Sequence, residues 1–377
     1  MAVIAGTRYA FSDASNVRID MSDTLAMISP FDVPLLTTIG KNSLQTPCTE
    51  TKHEWLESAL RSLDGAIAAS GSTLANVTDP VTFNVVAGQG VQLQPNDILL
   101  IESEQLRVTI VSTDSITVAR GFGGSTPASH ADSTAWKIIG RVDVQDAAVP
   151  VSRTTTKTPQ FNYCQIYNDS VVVTSTMQAI GKYVQKDDLA AQSADALKVA
   201  WQTWERSLLY GRKTLAASGI AGSMDGILTR ITTNAYAKAG APLTEEFILQ
   251  AIQDSWTVGG KISHVFLNAF QKRAANRFLD SMRMTSRTDR TAGVIVDTYT
   301  SDFGTVSIVL DRNMPTDTVL LFEKDRIGFG PLTDHALHMV PIPKTTGLKE
   351  TLQLIGQYTA EIRNENAHAK ITGLATS

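Results

Sequence analysis

Only two cysteines, Cys48 and Cys164, occur in 377 residues. They make no CxxC or metal-ligand spacing, and so sparse a count predicts free thiols in a reducing compartment rather than a disulfide framework. No apolar run approaches the ~20 residues that a helical membrane span needs. The first twenty residues have a polar centre and lack the basic-then-apolar order of a secretory signal. Lys and Arg number 33 against 37 Asp and Glu, a net charge of −4. There is thus no global basic field to hold nucleic acid.

Catalytic signatures are equally scarce. No P-loop, GxGxxG or nucleophile elbow is present, and no isolated carboxylate pair stands out. His53 adjoins only Glu54. His335 and His338 stand three apart beside Pro341 and Pro343, without a third ligand. Gly121, Gly123 and Gly124 are followed by neither a Lys-Ser/Thr pair nor a helix, so they predict a turn rather than a phosphate loop. The densest basic cluster is Lys272, Arg273, Arg277, Arg283, Arg287 and Arg290. Asp280 and Asp289 dilute it and no aromatics interleave it, so it reads as a solvated or subunit-contacting face. The sequence therefore nominates no catalytic, cofactor-binding or metal-binding residue, and no cofactor.

What is present is architecture. A hydrophobic content of 43% with 19% charged residues can bury a sizeable core, and the length suits two or three domains. From Lys186 to Lys213 the chain has no proline, and Leu189, Leu197, Trp201, Trp204 and Leu208 recur at helical spacing. Asp187 and Asp188 at the start and Arg212 and Lys213 at the end suit the helix dipole. A helix of about 28 residues would span roughly 42 Å, far longer than the common element.

The flanks are less self-sufficient. Residues 1–50 hold one short helical candidate, Ser22 to Ile28, before Pro30 and Pro34 break the pattern. Phe31, Val33, Leu35, Leu36 and Ile39 are too few to bury one another, so they predict either a leader that packs back on its own domain or an arm that packs on a neighbouring subunit. TKHEWLESAL (51–60) reads as an extended limb. Between 77 and 140, five or six short strand patterns separated by turn residues predict a small antiparallel barrel or sandwich. A second extended limb runs from Arg141 to Ile180 with a polar tip around Thr154–Thr158, making the two limbs a hairpin that carries the β unit. Beyond 220 the pattern is α/β, with a helix over 243–257 that Thr244 opens. The run 348–363 fits a helix or a long strand, with the β reading favoured by Thr359 and Ile362.

The order of parts resembles the major capsid protein of tailed bacteriophages, of the type with a small β-barrel inserted in the extended loop. The residues that carry the resemblance are MSDTLAMISPFDVPLLTTIGK followed by TKHEWLESAL. A second match is PNDILLIESEQLRVTIVSTDSITVARGFGGSTPASH, with its Asn96-Asp97 turn, ARGFGG turn and later Ala-Ser-His. The resemblance implies an α+β fold with an N-terminal arm over 1–50 and an extended loop with flanking strands over 51–180. That loop contains a β-barrel insertion at 77–140. A spine helix follows at 181–219, then an axial domain at 220–335 and returning peripheral strands at 336–377.

It also implies a structural role without enzymatic activity: self-assembly into pentamers and hexamers of an icosahedral head that encloses double-stranded DNA without sequence-specific binding. The implied partners are many copies of the chain, a separate scaffolding protein, the portal and a cement or decoration protein, with no membrane. Assembly would take place in the host bacterial cytoplasm and end in the virion capsid. Some relatives lock their shells with Lys–Asn bonds beside a buried Glu. Lys157 is the lysine nearest the loop tip, but no Asn or Glu matches, so that chemistry is not expected. The alternative is another virion or surface protein, a decoration, tail or glycan-binding component, that uses the 77–140 unit.

Overall fold

The computed structural model describes residues 31–40, 43–69, 74, 79–180, 187–279, 296–343 and 347–376. The chain divides into two compact units: Leu56–Pro159, and Met1–Trp55 together with Gln160–Ser377. The expected helix at Ser22–Ile28 lies outside the described residues, as do the first thirty residues of the expected arm.

The described chain opens on a short helix, α1 (Pro34–Ile39), with Pro34 at a position that needs no N–H. Leu35, Leu36 and Ile39 are buried against Trp204, Leu208 and Phe329 of the same chain. At its C-terminal end the segment expected as an arm over 1–50 thus packs back on its own chain. The short apolar set finds its surface at the far side of the sequence, where local pattern cannot show it. Strand β1 (Lys52–Glu57) follows.

The smaller unit contains β2 (Asp64–Ala66), β3 (Val81–Asn84), β4 (Asp97–Ile101), β5 (Glu104–Ser112), β6 (Ser115–Ala119) and β7 (Ala135–Arg141). They pair antiparallel in the order β2-β7-β4-β5-β6-β3. A bridge between Ile67 and Val85 joins the two outer strands, with Ala68 N donating to Asn84 O (2.8 Å) and Val86 N to Ala66 O (3.1 Å). Alternate residues of these strands point into one core of Leu99, Ile101, Leu106, Val108, Ile116, Val118 and Trp136. Gly121 (φ 62°) and Gly123 (φ 67°) form the turn that the sequence predicts.

The unit is wider than the expected 77–140. It takes in β2, and the irregular stretch after β7 is held by Arg153, whose guanidinium donates to Gln92 O (3.0 Å) and to the buried Asp97 (2.6 Å). Residues 142–157 have no periodicity; besides this ion pair, Val142 N donates to Asn96 O (3.0 Å) and Asn96 Nδ2 to Asp143 Oδ1 (2.9 Å), contacts that local pattern does not show.

The larger unit resumes with β8 (Thr158–Tyr163), which pairs with β1 as the two limbs of the expected hairpin. Then come β9 (Gln165–Thr174), α2 (Ser175–Ala179), α3 (Asp188–Tyr210), α4 (Ile227–Arg230), β10 (Ala235–Ala237), α5 (Glu245–Thr257), β11 (His264–Leu267) and α6 (Ala269–Leu279). The remaining strands are β12 (Val296–Ser301), β13 (Gly304–Leu310), β14 (Val319–Phe322), β15 (Ile327–Pro331), β16 (His338–Ile342), β17 (Lys349–Ile362) and β18 (Ala369–Thr372).

Helix α3 has 23 residues, about 35 Å at the usual rise. Asp187 caps it, its carboxylate accepting from Ala190 N (3.1 Å). It ends at Gly211, where a Cβ would meet Ser207 O and Met224 O at 2.5 Å. Arg212 and Lys213 therefore follow the helix rather than close its last turn.

Two sheets flank α3 in sequence. In the six-stranded sheet, order β10-β18-β14-β11-β13-β12, the central strands β14 and β11 are apolar apart from His264 because both faces are covered. Phe266, Leu320 and Phe322 join the core around Trp204, while Val265, Leu267 and Leu321 pack with Ile248 and Ile252 of α5 and Ala275 of α6. In the second sheet the long β17 has β9 on one side and β16 and β15 in turn on the other. The 348–363 ambiguity thus resolves as a strand. The boundary expected at 335/336 does not follow the sheets: β15 belongs with β17, and β18 returns to the six-stranded sheet.

Candidate assembly surface

Helix α3 has two unlike halves. Ala200, Trp204, Glu205, Leu208 and Leu209 are buried, whereas no residue from Asp188 to Val199 is. Trp204 sits among the rings of Tyr358 (5.0 Å), Tyr167 (5.9 Å) and Phe329 (6.1 Å). These partners come from β9, β15 and β17. The first half of α3 instead faces residues 169–174 of β9 across an open groove lined by Asp188, Gln192, Asp195, Ala196 and Val199, and none of its residues, Leu197 included, is buried in a core. β9 is bare in the same way: Ile166 and Val172 are exposed, and among the described residues no strand pairs with its outer edge. Leu348 is 78% exposed and Val199 52%. In the smaller unit, Leu60 is 97% and Val149 95% exposed. Each such side chain forgoes about 1.5–3 kcal/mol until something covers it, and sets of this kind mark interaction surfaces.

The chemically distinctive residues are buried instead. Glu205 accepts from Leu36 N (3.2 Å) and Asn313 Nδ2 (2.8 Å), which ties α1 to α3. Burial, then the nearby Asp311 carboxylate, pushes Glu205 up to about 8; burial pushes Asp311 up to about 6. Asn162 uses its whole amide: Nδ2 donates to Ala360 O (2.8 Å) and Asp225 O (3.3 Å), and Oδ1 accepts from Asp225 N (2.7 Å) and Tyr163 N (2.9 Å). Sequence reasoning passed over both residues. Glu205 could have been found, since it falls beside Trp204 inside the apolar stripe. Asn162 leaves no local signal.

In the smaller unit, Glu104 is buried and receives Arg120 Nε (2.9 Å), Ala128 N (3.0 Å) and His130 Nε2 (2.9 Å). Burial alone would raise Glu104, but Arg120, Ala128 N–H and His130 together hold it at about 2. Arg120 belongs to the ARGFGG stretch and His130 to Ala-Ser-His, so one buried carboxylate explains why both stretches stand in this chain.

His53 lies with Cys48, Cys164 and Glu361. His335 and His338 are exposed and each faces a backbone carbonyl. Lys272, Arg273 and Arg277 lie on α6, whereas Arg283, Arg287 and Arg290 fall outside the described residues. Among the described residues no group of three or more His, Cys, Asp or Glu is placed to hold a metal ion, and no helix is long and apolar enough to cross a membrane.

The chain's mixed α+β fold is that of a phage capsid structure. A structure described as the cyanophage A-1(L) capsid asymmetric unit superposes over 98% of this chain and 100% of its own, with a TM-score of 0.51 at 11% identity. Structures of Microbacterium phage Oxtober96 (97% and 98% covered, TM-score 0.51, 10% identity) and Mycobacterium phage Cain (99% and 100%, 0.51, 8%) share the same fold. No curated protein matches the chain in sequence. The sequence profile of the SU10 major capsid protein family matches residues 3–375, and the chain belongs to that family. Its role is structural, as a subunit of a virion capsid.

Proposed function

We propose that many copies of this chain assemble, as pentamers and hexamers, into an icosahedral head that encloses packaged double-stranded DNA. The observation that carries the proposal is the half-covered helix: Asp188–Val199 and the outer edge of β9 have no core in one chain, and a neighbouring copy supplies the missing cover. Residues 1–30 would lie across an adjacent subunit, and the β unit would form the barrel of the extended loop. A separate scaffolding protein guides assembly in the host cytoplasm, a portal occupies one vertex, and a cement protein is the further partner. The net charge of −4 suits a container, because phosphate contacts on its wall would resist packaging and release. The proposal gives the chain no enzymatic role.

The test places a charge on the uncovered half. Val199→Glu should leave subunit stability within about 0.5 kcal/mol, as surface substitutions do, and reduce closed particles at least tenfold. A normal particle yield from that variant contradicts the proposal.

A further inference from the structure

Cys48 and Cys164 stand 116 residues apart in sequence, yet their sulfurs are 3.3 Å apart in the larger unit, both buried and both free thiols. Their backbones are pinned. Cys48 O accepts from Thr333 N (2.9 Å) and Thr333 Oγ1 (2.8 Å), and Cys164 N donates to Thr51 O (2.8 Å). Both thiols face Glu50 O, at 3.1 and 3.5 Å. An S–S bond of about 2.0 Å needs only a small further approach. We propose that this pair is a redox site that closes to an intramolecular disulfide when a peroxide-class oxidant reaches it.

The surroundings divide the labour. The hydrogen bond from the Cys164 thiol, opposed by burial and helped by His53, lowers the Cys48 thiol from its ordinary range. Donation to Cys48 and burial raise Cys164. His53, whose Nε2 is 3.4 Å from Glu361 Oε1, is pushed up to about 9, first by Cys48 and then by Glu361. Cys48 is therefore the attacking thiolate and Cys164 the resolving thiol. The Cys48 sulfur attacks one peroxide oxygen, the O–O bond breaks, and the leaving hydroxide takes a proton to become water. The Cys164 sulfur, losing its proton, then attacks the Cys48 sulfenic acid, and the S–O bond breaks to release a second water. Two thiols and one peroxide become one disulfide and two waters.

The bond would close a covalent ring around the entire Leu56–Pro159 unit, at the point where the chain leaves and re-enters the larger unit. Its stabilisation acts chiefly by restricting the unfolded chain. A chain reduced during synthesis would gain this staple once outside a reducing compartment. The inference rests on the cysteine geometry and stands apart from the assembly reading.

The experiment treats the full-length chain with hydrogen peroxide and follows both thiols by maleimide labelling after denaturation, intact mass and a non-reducing peptide map. Both thiols should disappear together with a mass loss of two hydrogens and a joined peptide pair containing positions 48 and 164, and dithiothreitol should restore them. The melting midpoint should rise on oxidation, but not in Cys164→Ser, where dimedone should trap Cys48 as the sulfenic acid. His53→Gln should slow closure several-fold. Thiols that stay open to maleimide after oxidation, conversion to sulfinic acid without a joined peptide, or links only between chains would overturn the proposal. If the variants fail to fold, the wild-type mass and peptide map decide alone.

Discussion

Glu205 and Glu104 are both carboxyls without solvent, and they predict opposite responses to pH. Glu205 has its folded pKa raised, from 4.5 to about 8, by burial and then by Asp311. The folded chain then binds more protons than the unfolded one, so its contribution is complete below about 4.5 and is lost as pH rises through about 8. Asp311, raised to about 6, and His53, raised to about 9, act in the same direction. The melting midpoint of the larger unit should therefore fall over that window, and Glu205→Gln should reduce the slope. Glu104 is depressed from 4.5 to about 2. Its contribution is present above about 4.5 and disappears as pH falls toward 2, so the smaller unit should loosen in acid first. Differential scanning calorimetry across pH reads both. A Glu205→Gln variant whose midpoint depends on pH as the wild type's does from about pH 5 to 9 would contradict the Glu205 assignment. At Trp204, replacement by Ala should cost about 3–5 kcal/mol, because the tryptophan fills the space between three other rings. Denaturant melts that moved by less than about 1 kcal/mol would mean that the core closes over the gap.

At the scale of elements, two truncations separate the proposed arm from α1. Removing residues 1–30 should leave a folded subunit that no longer forms closed shells. Removing residues 1–40 should also destabilise the subunit itself, since Leu35, Leu36 and Ile39 leave the core and Glu205 loses the Leu36 N–H. Circular dichroism melts of the two truncations should differ, and identical melts would mean that α1 contributes nothing to the body. Elements with a strong local period were legible in the sequence. The helix now seen as α3 showed its stripe and its acidic start, though Asp187 proved to be the cap and Gly211 the stop, and the short strands of the β unit showed their turns. Elements whose identity depends on distant partners were not legible. The run that became β17 carried a mixed pattern until β9 and β16 flanked it. α1 looked like a homeless apolar set because its cover lies near Trp204 and Phe329. β18 seemed peripheral because nothing local tells a short apolar strand which of two sheets it joins. The candidate site was legible in part: the half-used stripe of α3 is visible in the spacing of Leu189, Leu197 and Trp201, but the closeness of Cys48 to Cys164 is not.

At the scale of the whole molecule, the account rests on one imbalance. Among the described residues the chain builds three cores of its own yet leaves half of α3, the outer edge of β9 and a set of exposed valines and leucines without cover. Copies of the chain would have to bury well over the roughly 1,600 Å² of a standard interface to cover them. The most direct measurement is negative-stain electron microscopy of the full-length chain purified from infected or scaffold-expressing cells, with sedimentation velocity on the same sample. Closed, uniform icosahedral particles, or rings of five and six subunits, are the predicted result. A stable monomer or dimer with the scaffolding partner present would contradict the account.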